Sequence, residues 1–196
     1  MRQRVHFPNL EEAERRIQYI YETLARINGY LKKNVAVDGP SLDYTFSRPG
    51  EPFRPWQDFL DAFHDDFNTP KAIAALNDLL RVANLLVAGR EKEATSQKLK
   101  PPLRARLLTE GRDLLANMGA LLGFGEQEPT AFLEMQRALR LKVRGIEVAR
   151  VEALMNERAA AKTQKDFTRA DAVRASLVEL GIEVRDTADG VEWSVL

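Results

Sequence analysis

Apolar residues recur at helical spacing along most of this chain of 196 residues, and this periodicity restricts the fold more than any other feature. Each periodic stretch has one apolar side and one charged side, which is typical of helices that pack on their neighbours. Predicted helices cover residues 9 to about 31, about 56–67, 70–89, 103–122 and 131–143. The sequence therefore predicts an antiparallel helical bundle over residues 1–145, interrupted by a long loop at 34–55 that is rich in proline and glycine.

The end of the chain, residues 146–196, combines helical periodicity with the alternation of strands. Two further helices are predicted here, with Asp166 as the cap of the second and Gly181 as its left-handed end. Apolar and polar residues then alternate on both sides of Asp189-Gly190, a pair that is a strong hairpin signal. The expected fold class is mainly α: an antiparallel helical bundle followed by a small C-terminal α+β unit of two helices and a β-hairpin.

Composition excludes several classes of protein. The chain contains no cysteine, so it can form neither a disulfide framework nor a thiolate metal site. Its two histidines, His6 and His64, are too far apart in sequence to indicate a metal cluster. No apolar run approaches the roughly 20 residues that span a membrane, and the first residues lack the apolar core of a signal peptide. We therefore expect a cytoplasmic protein.

The charges are balanced, which limits how the chain can bind a polyanion. Lysine and arginine total 29, aspartate and glutamate total 29, and the formal net charge is zero. No segment is a polybasic tail: residues 151–196, for example, carry six basic and nine acidic side chains. Contacts with a nucleic acid must therefore come from local patches, with modest affinity and a modest salt dependence.

The run Asp65-Asp-Phe-Asn-Thr-Pro70 allows a structural and a functional interpretation. Asn68 or Thr69 can cap a new helix, with Pro70 in the first turn, where a missing amide costs nothing. The two aspartates precede that positive helix end, where carboxylates are stabilised. Paired acids also suit general acid–base catalysis or a magnesium site. We prefer the structural interpretation because caps and the helix dipole account for every residue of the run.

A basic cluster accompanies the helix predicted at 131–143, and its members are Arg137, Arg140, Lys142 and Arg144. Such a cluster is either a stripe that contacts phosphates or a solvated helix face, and we favour the solvated face. Residues 1–144 contain no internal repeat, glycine-rich phosphate loop or Ser/His/Asp arrangement. This part of the sequence alone does not indicate a function.

The junction of the last two predicted helices mixes cations, carboxylates and one aromatic residue. Phe167 follows the predicted cap, and it is either a buried plug or an exposed ring on which an unstacked base can lie. Asp171 and Asp186 offer carboxylate acceptors for the amino and imino groups of bases. Cations that can contact the flanking phosphates are Lys162, Lys165 and Arg169, with Arg158 as a further candidate backbone contact.

Separated runs of residues resemble the cysteinyl-tRNA synthetase family. Asp65-Asp-Phe-Asn-Thr-Pro70, with Lys71-Ala-Ile-Ala-Ala-Leu after it, resembles the hallmark stretch of that family's helical bundle. Glu157-Arg-Ala-Ala-Ala-Lys-Thr-Gln-Lys-Asp-Phe-Thr-Arg-Ala-Asp-Ala-Val-Arg174 and residues 177–193 resemble the segment that ends the family's proteins. The opening residues, from Arg2 onward, resemble the family's passage into the bundle. The resemblance covers nearly the whole chain in the family's order, except the long loop.

This resemblance implies that the chain corresponds to the C-terminal half of a cysteine–tRNA ligase or to a free-standing relative. The family's catalytic Rossmann domain, its two ATP-handling signatures and its cysteine-rich zinc site have no counterpart in the sequence. The chain alone is therefore not expected to be an enzyme, and ATP and zinc would be cofactors of the missing catalytic domain. The expected partners are the cysteine tRNA and, for a fragment, the catalytic domain of the same protein. We expect a monomer that binds no membrane.

By resemblance, residues 146–196 would grip GCA, the anticodon of the cysteine tRNA. The positions that match the family's anticodon contacts are Lys162, Phe167, Asp171 and Asp186. The residue at Lys162 is often arginine in the family, and lysine lacks the planar fork for bidentate contacts. The residue at Phe167 is often tryptophan, and phenylalanine offers a smaller stacking face without the indole donor. We expect function to survive both changes with weaker contacts.

Two alternatives stay open, and neither reads an anticodon. One is a relative in the cysteine-ligase branch of thiol-cofactor biosynthesis, which shares the bundle. The complete helix–hairpin end and the Asn68-Thr69-Pro70 form of the motif argue against that branch. The other is a free-standing helical interaction module that has lost tRNA binding, which the neutral net charge and the phenylalanine at position 167 permit.

Overall fold

The computed structural model of the chain describes residues 8–47, 51–95, 97–187 and 190–195. In chain order, its elements are α1 (Pro8–Lys33), α2 (Leu42–Phe46), α3 (Pro55–His64), α4 (Thr69–Ala88), a short 3-10 helix (Glu91–Glu93), α5 (Pro101–Leu122), α6 (Pro129–Arg144), α7 (Val148–Thr163), α8 (Phe167–Glu179), β1 (Ile182–Thr187) and β2 (Gly190–Val195). The expected mainly helical fold with a small C-terminal hairpin is confirmed. No helix in the described part is both long enough and apolar enough to cross a membrane.

Two compact units divide the chain: the bundle unit, Met1–Phe132, and the second unit, Leu133–Leu196. The bundle unit buries the apolar sides of α1, α3, α4 and α5 in one core. The central residues of α4 recur every three or four positions and include Leu76 and Leu79, which are 1% and 0% exposed.

The predicted start and end of α4 are both confirmed. The side chain of Asn68 accepts a hydrogen bond from the Lys71 amide at 3.3 Å and so caps the helix. Gly89 ends the helix with φ of +67°, a backbone conformation that glycine adopts without the strain that a β-carbon brings. Local capping chemistry is therefore enough to define this central helix of the bundle unit.

The segment predicted as a long loop, 34–55, contains the short helix α2. Ser41 begins this helix by accepting a hydrogen bond from the Tyr44 amide at 3.2 Å. Leu42 and Phe46, one turn apart, are buried in the core of the bundle unit. A helix of five residues has too few repeats to be recognised from its periodicity, and packing rather than helix propensity stabilises it.

In the second unit, α8 packs against α7 and against β1, which pairs with β2 as an antiparallel hairpin. The core contains Leu141, Val151, Val173, Leu177, Ile182, Val184 and Val195. Asp166 caps α8 by accepting a hydrogen bond from the Arg169 amide at 3.0 Å, and Gly181 follows the helix with φ of +77°. The predicted cap, left-handed glycine and hairpin strands are confirmed, whereas Asp189 of the predicted turn lies outside the described residues.

The two compact units divide within α6, between Phe132 and Leu133. Most of α6 belongs to the second unit because it packs on the hairpin: Arg140 Nη1 donates a hydrogen bond to the Val195 carbonyl at 3.0 Å, and Leu141 is buried beside it. The division predicted between residues 145 and 146 separates a bundle from an anticodon-recognition unit by function. It stays a prediction.

Candidate nucleic-acid interface

Phe167 is the first residue of α8, and its ring is exposed. Ala170, Val173 and Leu177 form the apolar side of α8 and are buried. Phe167 precedes the first of these residues and is 64% exposed. The interpretation of Phe167 as a buried plug is therefore wrong, and the face of the ring is available for stacking.

Asp171 follows Phe167 by one helical turn, so the two side chains are neighbours on the surface of α8. Asp171 is exposed. The pKa of the buried Arg158 guanidinium is raised, first by its hydrogen bonds to Asp186 and then by the negative charges of Asp186 and Asp171. Asp186 binds the Arg158 guanidinium directly, and Asp171 acts on it through its charge.

Asp186 is held by two cations, and we call Arg158, Lys162 and Asp186 the Asp186 cluster. Arg158 binds both carboxylate oxygens: Nη1 lies 3.1 Å from Oδ1, and Nη2 lies 2.7 Å from Oδ2. Lys162, one turn later on α7, places its Nζ 2.7 Å from Oδ2. Such a forked contact is the strong, directional form of an arginine–carboxylate pair, so it fixes the orientation of the carboxylate.

The alternation of β1 explains why Asp186 meets these cations. Residues 182, 184 and 186 share one face of the strand. Ile182 and Val184 are buried, so this face points into the core of the second unit. Asp186 is the next residue on that face and lies at the edge of the core, where its side chain is 47% exposed. Arg158 approaches from α7, two turns after the buried Val151.

The Asp186 cluster keeps its carboxylate ionised. The hydrogen bond from Arg158, and after it the hydrogen bond from Lys162, lowers the pKa of Asp186 well below its ordinary value of 3.8. An ionised carboxylate accepts hydrogen bonds and donates none. Asp186 is therefore a permanent acceptor at neutral pH, which suits the amino and imino groups of nucleic-acid bases.

The position of Arg158 differs from its predicted role as a backbone contact. Its side chain is only 5% exposed, and both terminal nitrogens are engaged by Asp186. A buried and engaged guanidinium offers little to a phosphate, so we assign Arg158 to holding Asp186. The sequence carries a signal for this burial, because Arg158 is spaced from the apolar Val151 and Ala161 as a residue on the inner side of α7.

Lys165 and Arg169, the other predicted backbone contacts, are exposed. Lys165 lies between α7 and α8 with φ of +60°, two residues before Phe167. Arg169 Nη2 lies 2.9 Å from the Glu157 carboxylate, in an exposed ion pair of the kind that contributes little stability. A phosphate can replace such a partner at small cost, and both cations therefore remain candidates.

Two of the basic residues of α6 have structural partners on β2. The Arg137 guanidinium lies 4.3 Å from the centre of the Trp193 ring, a cation–π contact that joins α6 to β2. Arg140 donates to the carbonyl of Val195 on the same strand. A simple solvated face is therefore an incomplete description, because at least these two arginines help to attach α6 to the hairpin.

Local hydrogen bonds join Asp65, Asn68 and Lys71 at the start of α4. Lys71 and then Asn68 donate to the Asp65 carboxylate and lower its pKa. Asp66 and Phe67 both have φ of 54°.

In the described part of the chain, no group of His, Asp and Glu could hold a metal ion, and the sequence has no cysteine. Because the sequence has no cysteine, its residues do not fit the cysteine-rich zinc site of the family that the sequence resembles.

Two stretches of the chain match known domain families. Residues 58–126, in the bundle unit, match the family described as the DALR domain. Residues 148–193, in the second unit, match the family described as the cysteinyl-tRNA ligase anticodon binding domain. The second stretch contains Phe167, Asp171 and the whole Asp186 cluster.

Curated relatives of the chain carry the name cysteine–tRNA ligase. The protein of Nitratidesulfovibrio vulgaris strain Miyazaki F is 37% identical over 97% of this chain and 37% of its own length. The protein of Geobacter metallireducens is 36% identical over 95% of this chain and 36% of its own length. The protein of Oleidesulfovibrio alaskensis is 32% identical over 96% of this chain and 37% of its own length. The chain thus spans little more than a third of the length of these relatives.

Proposed function

This chain belongs to the cysteine–tRNA ligase family, in its C-terminal anticodon-binding region, and on that premise we propose that it binds the anticodon of the cysteine tRNA. The stretch that it shares with these ligases contains their anticodon-binding domains and no catalytic domain. The chain alone is therefore not an enzyme. We assign cysteine activation, with its ATP and zinc, to the catalytic part of the ligase to which this region would be joined.

In the proposed complex, the exposed Phe167 ring stacks on an unstacked anticodon base. Asp171 and Asp186 accept hydrogen bonds from base edges, while Lys165 and Arg169 contact the flanking phosphates. Each base of GCA carries an amino group, so carboxylate acceptors suit all three bases. The single observation that carries the proposal is the exposed ring of Phe167, one helical turn before the exposed carboxylate of Asp171 on the surface of α8.

The Asp186 cluster changes the expected effect of having lysine at position 162. A lysine lacks the planar fork that arginine often supplies there in the family. In this chain, Arg158 already makes a forked contact with Asp186, and Lys162 adds a third hydrogen bond to the same carboxylate. We therefore propose that Lys162 serves as part of the acceptor site as well as a cation near the RNA.

The test of the proposed function is binding of the 196-residue chain to a cysteine tRNA transcript and to transcripts with one changed anticodon base. Filter binding gives the dissociation constants at one salt concentration. The GCA transcript is expected to bind about tenfold or more tightly, since a hydrogen bond to a charged group contributes about 1.5–3 kcal/mol. Equal binding of all transcripts would contradict anticodon recognition.

The same experiment separates the alternatives. A relative from the thiol-cofactor branch, or a free-standing interaction module, would show no dependence on the anticodon. The match of residues 148–193 to an anticodon-binding family supports tRNA recognition over both.

We propose a monomer that acts in the cytoplasm, with the bundle unit as the scaffold through which the second unit is joined to the catalytic part.

A further inference from the structure

The carboxylate of Asp186 has little acceptor capacity left. A carboxylate offers about four lone-pair sites on its two oxygens. Oδ2 accepts hydrogen bonds from Arg158 Nη2 and Lys162 Nζ, both at 2.7 Å, and Oδ1 accepts one from Arg158 Nη1 at 3.1 Å. Counting partners in the described part of the chain, one site remains, on Oδ1. The side chain is 47% exposed, so that site is within reach of a ligand.

We propose that Arg158 is a positioning residue that restricts Asp186 to a single hydrogen bond from bound RNA, so that Asp186 accepts cytosine or adenine and rejects guanine. This inference rests on the proposed anticodon binding. On their Watson–Crick edges, cytosine and adenine present one amino group beside a ring nitrogen that accepts. Guanine presents two adjacent donors, N1–H and the N2 amino group, which a carboxylate binds with both oxygens. Oδ2 is already filled.

Lys162 strengthens the proposed discrimination of Asp186 against guanine. Its ammonium group carries three hydrogens, and one of them is directed to Oδ2 of Asp186. A second can be donated to the ring nitrogen of cytosine or adenine, next to the amino group that Oδ1 accepts. The N1–H of guanine would instead meet the ammonium donor to donor, which disfavours it. Asp186 is therefore assigned to the second or third base of GCA and not to the first.

The burial of Arg158 fits orientation better than stability. Removing a charge from water offsets much of the attraction in an ion pair, so a buried arginine is weak evidence that the pair stabilises the fold. The planar fork of Arg158 holds both oxygens of Asp186. The ammonium group of a lysine is a point charge that binds one oxygen and leaves the carboxylate free to turn. On the outer face of β1, Arg185 makes a similar fork with Glu183 and is 62% exposed. That pair supplies a matched control.

The experiment compares the wild-type chain with Arg158→Lys and with the control Arg185→Lys. Each protein binds RNA stem-loops with the anticodon GCA, with guanine at the second or third position, or with adenine at the first. Arg158→Lys is expected to lose roughly tenfold of the discrimination against guanine at one of the last two positions, the scale of one charge-assisted hydrogen bond. At the first anticodon position, Arg158→Lys is expected to discriminate between bases as the wild type does. The control Arg185→Lys is expected to match the wild type at all three positions.

The outcomes distinguish this inference from the proposed function. If folded Arg158→Lys rejects guanine as well as the wild type does, or weakens binding of all loops by one factor, the inference is overturned. If the wild type binds all loops equally, the proposed function itself fails. Should Arg158→Lys not fold, Lys162→Met opens Oδ2 while the fork of Arg158 remains. Guanine is then expected to bind better at the same position, and unchanged rejection of guanine overturns the inference.

Discussion

Among single residues, Phe167 has a ring that is 64% exposed, although full burial of such a side chain stabilises a fold by about 1.5–3 kcal/mol. In the proposed complex a base stacked on the ring covers it, and such stacking contributes about 1–3 kcal/mol per base. Phe167→Ala is therefore expected to weaken binding of the cysteine tRNA about tenfold, and Phe167→Trp to retain or strengthen it. Val178→Ala removes another exposed apolar side chain of α8 and is the control in the same filter-binding assay. Wild-type affinity for Phe167→Ala would contradict the stacking role.

The charge of Asp186 makes a prediction about pH. Arg158 and then Lys162 lower the pKa of Asp186 in the folded protein below the ordinary value of 3.8. Because the folded pKa is the lower one, the stability gained from this group is complete above the unfolded pKa and is lost as pH falls through the folded pKa. Asp186→Asn is expected to be less stable than the wild type by a constant margin between about pH 5 and pH 8, with the margin shrinking below about pH 4. Urea unfolding across this range measures the margin.

At the scale of helices and strands, two predicted capping residues correctly locate the starts of α4 and α8. Asn68 and Asp166 are the caps that the sequence indicated, because a cap is a local hydrogen bond. The short α2 escaped recognition because its five residues are held by packing from distant segments. The contact of Arg158 with Asp186 escaped it too, although both spacings are present: the strand period carries Asp186 inward, and the helix period does the same for Arg158. What the sequence lacks is the register between α7 and β1, which only tertiary packing supplies.

A substitution at Gly181 tests the backbone conformation at the junction between α8 and β1. Its φ of +77° costs a residue with a β-carbon about 1–2 kcal/mol. A β-carbon there would also collide with the Arg144 guanidinium, which must then move. Gly181→Ala is therefore expected to lower the unfolding free energy by at least about 1 kcal/mol. Gly29→Ala in α1 is the matched control with the opposite sign, because nothing lies near that position and alanine gains roughly 0.5–1 kcal/mol in a helix.

For the whole molecule, the zero net charge shifts the proposed binding from phosphates toward bases. Several cations of the second unit are already used within the fold, as Arg158 and Lys162 are by Asp186 and Arg137 is by Trp193. A chain with balanced charges gains little from counterion release and must bind through a few well-placed contacts. Such an interface fits the proposed recognition of the anticodon, in which the rest of the ligase would contact the remainder of the tRNA.

This balance predicts a shallow salt dependence. Lys165 and Arg169 are the two proposed phosphate contacts, and each phosphate contact on single-stranded RNA contributes roughly −0.7 to the slope of log K against log salt. The measured slope for the cysteine tRNA is therefore expected to lie between roughly −1 and −2. Lys165→Gln should make it shallower by about 0.7 and leave the preference for GCA over a changed anticodon intact. A slope steeper than roughly −5 would show that many more cations contact the RNA, and that base contacts are not the main source of affinity.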